Sequence, residues 1–328
     1  MTGVCSAITA ARAGVKVILV QDRPVLGGNA SSEVRLWVLG ATSHMGNNNR
    51  WSREGGVLDE ILVENTFRNK EGNPVLFDMV LMDKVLAEPN ITLLLNTVVY
   101  KVEKDDDRTI GRLTAINPQN GTEYTIEGDL FADCTGDGTV GFLAGADFRM
   151  GRESRDEFGE ELAPAAADRM TMGSSVQWYS VDAGEKTDFP VFSYGLRFDE
   201  TNCEKVTMGE WKWETGMNLD QIVDFERIRD YGLLVVYSNW SFLKNGLRDN
   251  GEFRNRELGW VAYVAGKRES RRLLGDYVLK QDDIDKHVFH EDASFATTWD
   301  LDLHFPDSLN SVRFPGREFK AATKHIHI

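Results

Sequence analysis

Cysteine is scarce in this sequence, and the few that occur form no motif. The 3 cysteines, Cys5, Cys134 and Cys203, lie far apart and include no Cys-x-x-Cys pair. A disulfide framework needs paired cysteines, and iron–sulfur clusters are bound by closely spaced ones. The sequence therefore argues against both a disulfide-stabilised fold and an iron–sulfur protein.

Long apolar runs and an excess of positive charge are also missing. No stretch approaches the roughly 18–20 apolar residues of a transmembrane helix. Lys and Arg total 37 against 52 Asp and Glu, a formal net charge of −15 at pH 7 that repels nucleic acids and anionic membranes. We therefore expect no nucleic-acid partner and no membrane partner. The cytoplasm is the default location, and export stays open because a leader could precede Met1.

The first 28 residues match the later part of a dinucleotide-binding unit. A helix of small residues at Ser6–Ala13 and a strand at Val15–Val20 are predicted, with Gly3 where helix and strand must pack closely. Gln21 and Asp22 then stand where a bound ribose would lie. We expect the first strand of the unit to be missing before Met1. On these residues alone, an α/β fold that binds no nucleotide is an equal alternative.

Two later segments favour a flavoprotein. Leu26-Gly27-Gly28-Asn29-Ala30 directly follows the ribose position, and the run Ala132–Gly138 contains Thr-Gly-Asp-Gly after an apolar segment. Together with the N-terminal unit, they resemble the FAD-dependent oxidoreductases of the glutathione-reductase-like superfamily. The pattern is most similar to a bacterial family related to the flavin subunit of heterodisulfide reductase, and the similarity covers nearly the whole chain.

This resemblance implies an FAD cofactor and a set of residues that contact it. In such proteins the third glycine and the Gly-Gly loop approach the FAD pyrophosphate, while the Thr-Gly-Asp run lies beside the cofactor. The family usually has Glu at the ribose position, where this chain has the neutral Gln21. The cofactor-binding residues implied here are Gly3, Gln21, Asp22, Gly27, Gly28, Gly136 and Asp137.

The sequence predicts an α/β fold with two domains. At 328 residues with 41% hydrophobic content, the chain can bury a sizeable core. We expect a Rossmann-like FAD-binding domain in 1–150, an α+β substrate domain in 151–300, and a return to the FAD-binding domain in 301–328. A β-meander insertion is predicted in the first domain, followed by a return strand at Asp129–Cys134. Its strands are Thr97–Glu103, Ile110–Ile116 and Glu123–Glu127.

The resemblance also implies that the FAD-binding domain is incomplete at both ends. Its first strand and the family's C-terminal flavin-contacting segment have no counterpart between Met1 and Ile328. We therefore expect this chain to be a fragment of a longer enzyme.

Candidate catalytic residues lie in the polar segment 40–50. His44 titrates near neutral pH and is suited to act as an acid or base, and Arg50 lies in the same segment. An ordinary surface loop is the alternative interpretation.

Three arginines form a candidate anion site. Arg268, Arg271 and Arg272 are predicted on one face of a helix, where they could hold an anionic group of a substrate or the FAD pyrophosphate. Pairing with Glu269 or other acidic residues is the alternative.

Strand alternation places Asp300, Asp302 and His304 on one face. This spacing could bind a metal or form an acid/base relay, and a solvated strand face is the alternative. We predict no metal.

The predicted function is that of an FAD-dependent oxidoreductase. It would transfer a hydride from a small, unidentified substrate to flavin, with an unknown electron acceptor. An NAD-dependent dehydrogenase is one alternative. Another is a non-catalytic carbohydrate-binding protein, because tryptophans are frequent in the second domain and aromatic faces suit sugars. Core packing is the favoured explanation of these tryptophans. These tryptophans are Trp178, Trp211, Trp213, Trp240, Trp260 and Trp299.

Overall fold

The computed structural model describes residues 1–38, 55–209, 212–293 and 300–326. These residues form two compact units. Unit 1 is built from Met1–Met150 and Arg271–Asp300, and unit 2 from Gly151–Ser270 and Leu301–Ile326. No helix within the described ranges is long and apolar enough to cross a membrane.

Helices and strands occur along all of the described ranges. The helices are α1 (Thr2–Arg12), α2 (Gly56–Arg68), α3 (Pro74–Leu86), α4 (Thr139–Leu143), α5 (Arg155–Phe158), α6 (Phe225–Asn245), α7 (Gly251–Arg254), α8 (Gln281–Asp285) and α9 (Ser308–Arg313). The strands are β1 (Val17–Val20), β2 (Ile91–Leu94), β3 (Val98–Lys104), β4 (Ile110–Asn117), β5 (Thr122–Glu127), β6 (Phe148–Arg149), β7 (Trp178–Asp182), β8 (Met208–Gly209), β9 (Arg256–Val261), β10 (Arg272–Leu273), β11 (Leu301–Pro306) and β12 (Ala321–Ile326).

Unit 1 begins with a helix packed on a parallel strand pair. Helix α1 buries Val4, Ala7, Ile8 and Ala11, a spacing that places them on one face. Strand β1 pairs in parallel with β2, in register from Val17↔Ile91 to Val20↔Leu94, and α2 and α3 lie between the two strands in the chain. The predicted N-terminal helix and strand are therefore both present.

The predicted meander is present as an antiparallel sheet in the order β3-β4-β5. Its three strands begin and end within a residue of the predicted positions. The buried side of the sheet contributes Leu113, Ala115 and Ile126 to a small core that also contains Val140 of α4. The sheet thereby lies against the helix that follows the Thr-Gly-Asp run.

The predicted strand at Asp129–Cys134 is wrong. These residues are not a strand, and no described strand pairs with them. A strand is stabilised by the hydrogen bonds of a neighbour, so an apolar sequence without that neighbour stays irregular. Leu130 is accordingly 94% exposed.

The predicted helix through Arg268–Arg272 is also wrong. Gly266 forms a bridge with Ser175, and Arg272 of β10 pairs with Arg149 of β6. These pairings with distant parts of the chain hold the segment extended, and they override its local helical pattern.

Unit 2 packs α6 with the antiparallel sheet β8-β7-β9 around an aromatic core. Trp178 stacks on Trp213 with ring centroids 5.9 Å apart and meets Trp240 edge-to-face at 5.7 Å. All three are buried. Core packing is therefore the correct interpretation for these tryptophans, while Trp211 and Trp299 lie outside the described residues.

A buried lysine ties α6 to the chain around it. The Nζ of Lys244 donates hydrogen bonds of 2.8–2.9 Å to the Thr187 hydroxyl and to the backbone carbonyls of Phe253, Arg254 and Arg256. Burial lowers the pKa of Lys244. Four oxygen acceptors around one ammonium group make this contact a structural anchor.

Candidate functional site

The start of α1 brings three of the predicted cofactor segments together in unit 1. A Cβ at Gly3 would lie 3.1 Å from the Cβ of Cys134 and 3.7 Å from its Sγ. The amino group of Met1 donates to the carbonyl of Gly27 at 3.3 Å. A side chain at Gly3 would crowd Cys134, so glycine lets the start of α1 lie close to this segment; the contact of Gly3 with the cofactor stays a prediction.

The two loop glycines have different surroundings. Gly27 and Gly28 adopt φ values of +106° and +61°, which side-chain-bearing residues rarely adopt. A Cβ at Gly27 would meet Leu81 Cδ1 at 2.9 Å, whereas a Cβ at Gly28 would have nothing within 4 Å. Gly27 therefore permits internal packing, and the open space at Gly28 allows a ligand to approach the backbone.

Gln21 holds the loop at the end of β1. Its side-chain amide donates to the Val25 carbonyl at 3.1 Å. Its backbone N–H donates to Leu94, and its carbonyl accepts a hydrogen bond from Thr97. Asp22, the next residue, is exposed. The strand end predicted to lie near a ribose is thus fixed by Gln21 and presents the carboxylate of Asp22.

Asp133 organises the Thr-Gly-Asp loop, a role that was not predicted from the sequence. Its Oδ1 accepts from the Thr135 N–H at 3.0 Å and from the Thr135 hydroxyl at 2.7 Å. Its Oδ2 accepts from the Gly141 N–H at 3.0 Å. The Thr135 hydroxyl in turn accepts from Thr139 at 2.9 Å. The signal was available, because Asp two residues before Thr is a common local capping pattern.

Hydrogen bonding keeps Asp133 ionised. Burial alone would raise the pKa of Asp133, but the hydrogen bonds from Gly141 and Thr135 outweigh it and lower the pKa. A fixed carboxylate therefore sets the shape of the loop that contains Gly136 and Gly138, at φ values of +79° and +60°. A Cβ at Gly136 would have open space around it, as at Gly28.

These residues fit a dinucleotide. Two open glycines with left-handed backbone conformations, Gly28 and Gly136, lie in loops that flank the start of an 11-residue helix. The first N–H groups of a helix have no partner within the helix, and with the helix dipole they favour a phosphate. Gly28, Gly136 and the start of α1 are thus suited to hold the diphosphate of such a cofactor.

The three predicted anion-site arginines fall in different units. Arg268 belongs to unit 2, where its Nη1 donates to Glu214 Oε1 at 2.6 Å. Arg271 and Arg272 belong to unit 1, and Arg271 stacks its guanidinium 3.9 Å from the ring centroid of Phe142. Pairing with an acidic residue is therefore found for Arg268, with Glu214 as a partner.

A second cluster of charged groups lies in unit 2. His304 Nδ1 lies 2.5 Å from Glu214 Oε1, and His304 Nε2 lies 3.1 Å from Asp302 Oδ1. His325 Nδ1 lies 3.4 Å from that same Asp302 oxygen. Asp302 and His304 do share one face of β11, as predicted, whereas Asp300 precedes the strand.

The charge state of this cluster follows from its contacts. Burial would lower the pKa of His304, but its hydrogen bond to Glu214 and the nearby Asp302 outweigh this and raise it. His304 is therefore held toward the imidazolium form between two carboxylates. No group of three or more metal-ligating side chains suited to a metal ion is found in the described part of the chain.

His44 and Arg50, the predicted catalytic residues, lie outside the described residues. Their roles stay predictions.

Comparison with known proteins assigns the family. The profile of the family described as FAD dependent oxidoreductase matches residues 1–322. A search of curated proteins finds no match. The family match confirms the predicted enzyme class and cofactor, and it supports neither the NAD-dependent nor the carbohydrate-binding alternative. The chain therefore belongs to the FAD dependent oxidoreductase family, as a flavoprotein enzyme with FAD as its cofactor and a Rossmann-like FAD-binding fold.

Proposed function

We propose that this enzyme oxidises a small organic molecule by removing a hydride from a C–H bond next to oxygen or nitrogen. The observation that carries the proposal is the convergence of Gly3, the Gly27–Gly28 loop and the Cys134 segment at the start of α1. FAD supplies the hydride-accepting chemistry when bound. The residues of the chain bind and orient the cofactor, and a separate electron acceptor completes the cycle.

Individual roles follow from the contacts in unit 1. Gly28 and Gly136 let the backbone approach the diphosphate, Asp133 fixes the loop of Gly136, and Asp22 accepts hydrogen bonds from the ribose. Gln21 holds Asp22 in place through the Val25 carbonyl. Because a carboxylate accepts stronger hydrogen bonds than an amide, Asp22 is the better ribose partner of the two.

The remaining assignments extend this proposal to the rest of the chain. We assign FAD binding to unit 1 and substrate binding to unit 2. The order near the end of the chain is then the reverse of the predicted one, because residues 271–300 belong to the FAD-binding unit and 301–326 to the substrate unit. The meander β3–β5 is an insertion in the FAD-binding domain. His44 and Arg50 act on the substrate, and the chain is related to the flavin subunit of heterodisulfide reductase. The partners are a small molecule and an electron acceptor, with neither nucleic acid nor membrane.

Flavin binding by matched glycine variants tests the proposed cofactor site. Val at Gly28 places a branched side chain where the diphosphate approaches, so Gly28→Val should weaken FAD binding at least about tenfold, or roughly 1.4 kcal/mol. Gly72 is the control, because its φ of +64° matches the +61° of Gly28 and a Cβ there also meets nothing within 4 Å. Gly72→Val therefore carries the same backbone strain away from the site.

The assay measures bound flavin by absorbance and FAD affinity by titration, with thermal unfolding as the check on folding. Equal flavin affinity in Gly28→Val and Gly72→Val would contradict the placement. A well-folded wild-type protein that takes up no added FAD would contradict the proposed function itself.

A further inference from the structure

Arg271 has a hydrogen-bonding group for which the described residues offer no partner. Its Nη1 is buried and donates no hydrogen bond to any described acceptor. Its guanidinium carbon Cζ instead lies near two aromatic rings, 3.9 Å from the centroid of Phe142 and 5.9 Å from that of Phe148. A buried donor without an acceptor destabilises the fold, and more strongly when it is charged. Such a cost is recovered when an anion binds.

The strand pairing shows which way Arg271 faces. In the β6–β10 ladder, Arg272 lies opposite Arg149 and Leu273 lies opposite Phe148. Side chains alternate along a strand, so Arg271 shares the face of Leu273 and Phe148 and points away from Arg272. The 5.9 Å distance from Arg271 Cζ to the ring centroid of Phe148 agrees with this assignment.

That face adjoins the Thr-Gly-Asp loop. A Cβ at Gly138 would lie 3.1 Å from Leu273 Cγ, and one at Gly141 would lie 2.4 Å from Leu273 Cδ1. Phe142, which carries the Arg271 guanidinium, is in α4, and α4 begins directly after this loop. Arg271 is therefore placed beside the same loop that contains Gly136.

The aromatic platform fixes the guanidinium without neutralising it. Contact with the face of the Phe142 ring positions the guanidinium, and a ring face provides no oxygen acceptor for its N–H groups. A planar guanidinium is well matched to two oxygens of a phosphate. The chain as a whole is strongly acidic, so a guanidinium whose Nη1 has no hydrogen-bond partner among the described residues indicates an anionic ligand.

We propose that Arg271 donates hydrogen bonds to a phosphate oxygen of the FAD diphosphate, with the Phe142 ring as its platform. This inference rests on the proposed placement of FAD at the Gly28 and Gly136 loops, and it assigns a charged partner to the diphosphate. The neighbouring Arg272, on the opposite face of β10, does not share this role.

The experiment measures the binding of three ligands to apoprotein by calorimetry. FAD and ADP contain the diphosphate, whereas riboflavin contains only the flavin ring. Arg271→Met keeps the apolar stem and removes the cation, and Arg271→Lys keeps a cation but cannot form two parallel hydrogen bonds. Arg248→Met is the control, because Arg248 is 94% exposed. Thermal unfolding verifies that each variant folds.

We expect Arg271→Met to weaken FAD and ADP binding about 10- to 100-fold and to leave riboflavin binding within about twofold. Arg271→Lys should show a smaller loss for the same two ligands, and Arg248→Met none. The wild-type affinity for ADP should also fall more steeply with salt than that of Arg271→Met.

Three results would overturn the inference. The first is unchanged FAD and ADP affinity in Arg271→Met, and the second is an equal loss of riboflavin affinity in that variant. The third applies if Arg271→Met does not fold, and it is wild-type affinity for FAD and ADP in Arg271→Lys. A wild-type protein that binds no FAD would instead overturn the proposed cofactor placement. The two failures are therefore distinguishable.

Discussion

The contact between Gly3 and Cys134 predicts a specific energetic coupling. In Gly3→Ala, the new methyl group would lie 3.1 Å from the Cβ of Cys134, closer than the roughly 3.5–4.0 Å of an ordinary carbon–carbon contact. The Cβ of Cys134 is attached to the backbone, so the segment before Thr135 must move. Overpacking of this kind costs about 1–3 kcal/mol, and the better helix propensity of alanine offsets up to about 1 kcal/mol.

Removing the opposing Cβ should relieve the strain. Cys134→Gly alone should cost about 0.5–1 kcal/mol through backbone entropy. In the double variant, alanine at position 3 has room, so we expect the two effects to be non-additive by about 1–2 kcal/mol in favour of stability. FAD affinity should follow the same pattern, because the displaced segment leads into the Gly136 loop.

The measurement is a double-mutant cycle by urea unfolding, followed by circular dichroism and by hydrogen exchange of the α1 amides, with FAD titration of each variant. Gly128→Ala is the control, since the nearest atom to a Cβ there is at an ordinary 3.7 Å. Effects of Gly3→Ala and Cys134→Gly that add within about 0.5 kcal/mol would refute the reasoning.

Two further predictions concern unit 2. Lys244→Met should lower the free energy of unfolding by about 2–4 kcal/mol, because several buried acceptors lose their shared donor. Urea unfolding measures this loss, with Lys205→Met at an exposed position as the control. A loss below about 1 kcal/mol would contradict the prediction. The raised pKa of His304 means that its contribution to stability is full below its ordinary pKa of 6.5 and is lost as the pH rises through the folded-state pKa. The free energy of unfolding, measured as the pH rises through the pKa of His304, should therefore decrease. His304→Gln should remove this decrease, and the control His287→Asn, at an exposed position, should retain it. An unchanged pH dependence in His304→Gln would argue against the Glu214 contact.

Local patterns predicted those elements whose stability is decided within a short segment. Helix α1 follows from apolar residues on one face, and β3–β5 follow from alternation between turn residues. The strand predicted at Asp129–Cys134 is wrong because a strand also needs a neighbour, which no sequence pattern reports. The extended Arg268–Arg272 segment depends in the same way on distant Arg149.

The site shows the same division. The close packing at Gly3 was predictable, because glycine at a fixed place in a fingerprint has a definite steric reason, whereas the cofactor role of Gly28 stays a prediction. The hydrogen bonds of Asp133 could have been predicted from its position two residues before Thr135, but they were not. The Glu214–His304 contact joins residues 90 positions apart in the chain, so only the fold brings them together.

The alternation of the two units along the chain has a consequence for the order of folding. The β6–β10 pair joins Arg149 to Arg272, and most of unit 2 lies between them in sequence. During synthesis, β6 must therefore wait for its partner while residues 151–270 emerge, and closing so long a flexible loop is entropically costly. Collapse of the intervening α6 and β7–β9 region shortens the effective loop before β10 arrives. Early folding of that region should thus accelerate completion of the FAD-binding unit, and slow folding there should leave the edge of β6 exposed to association with other chains.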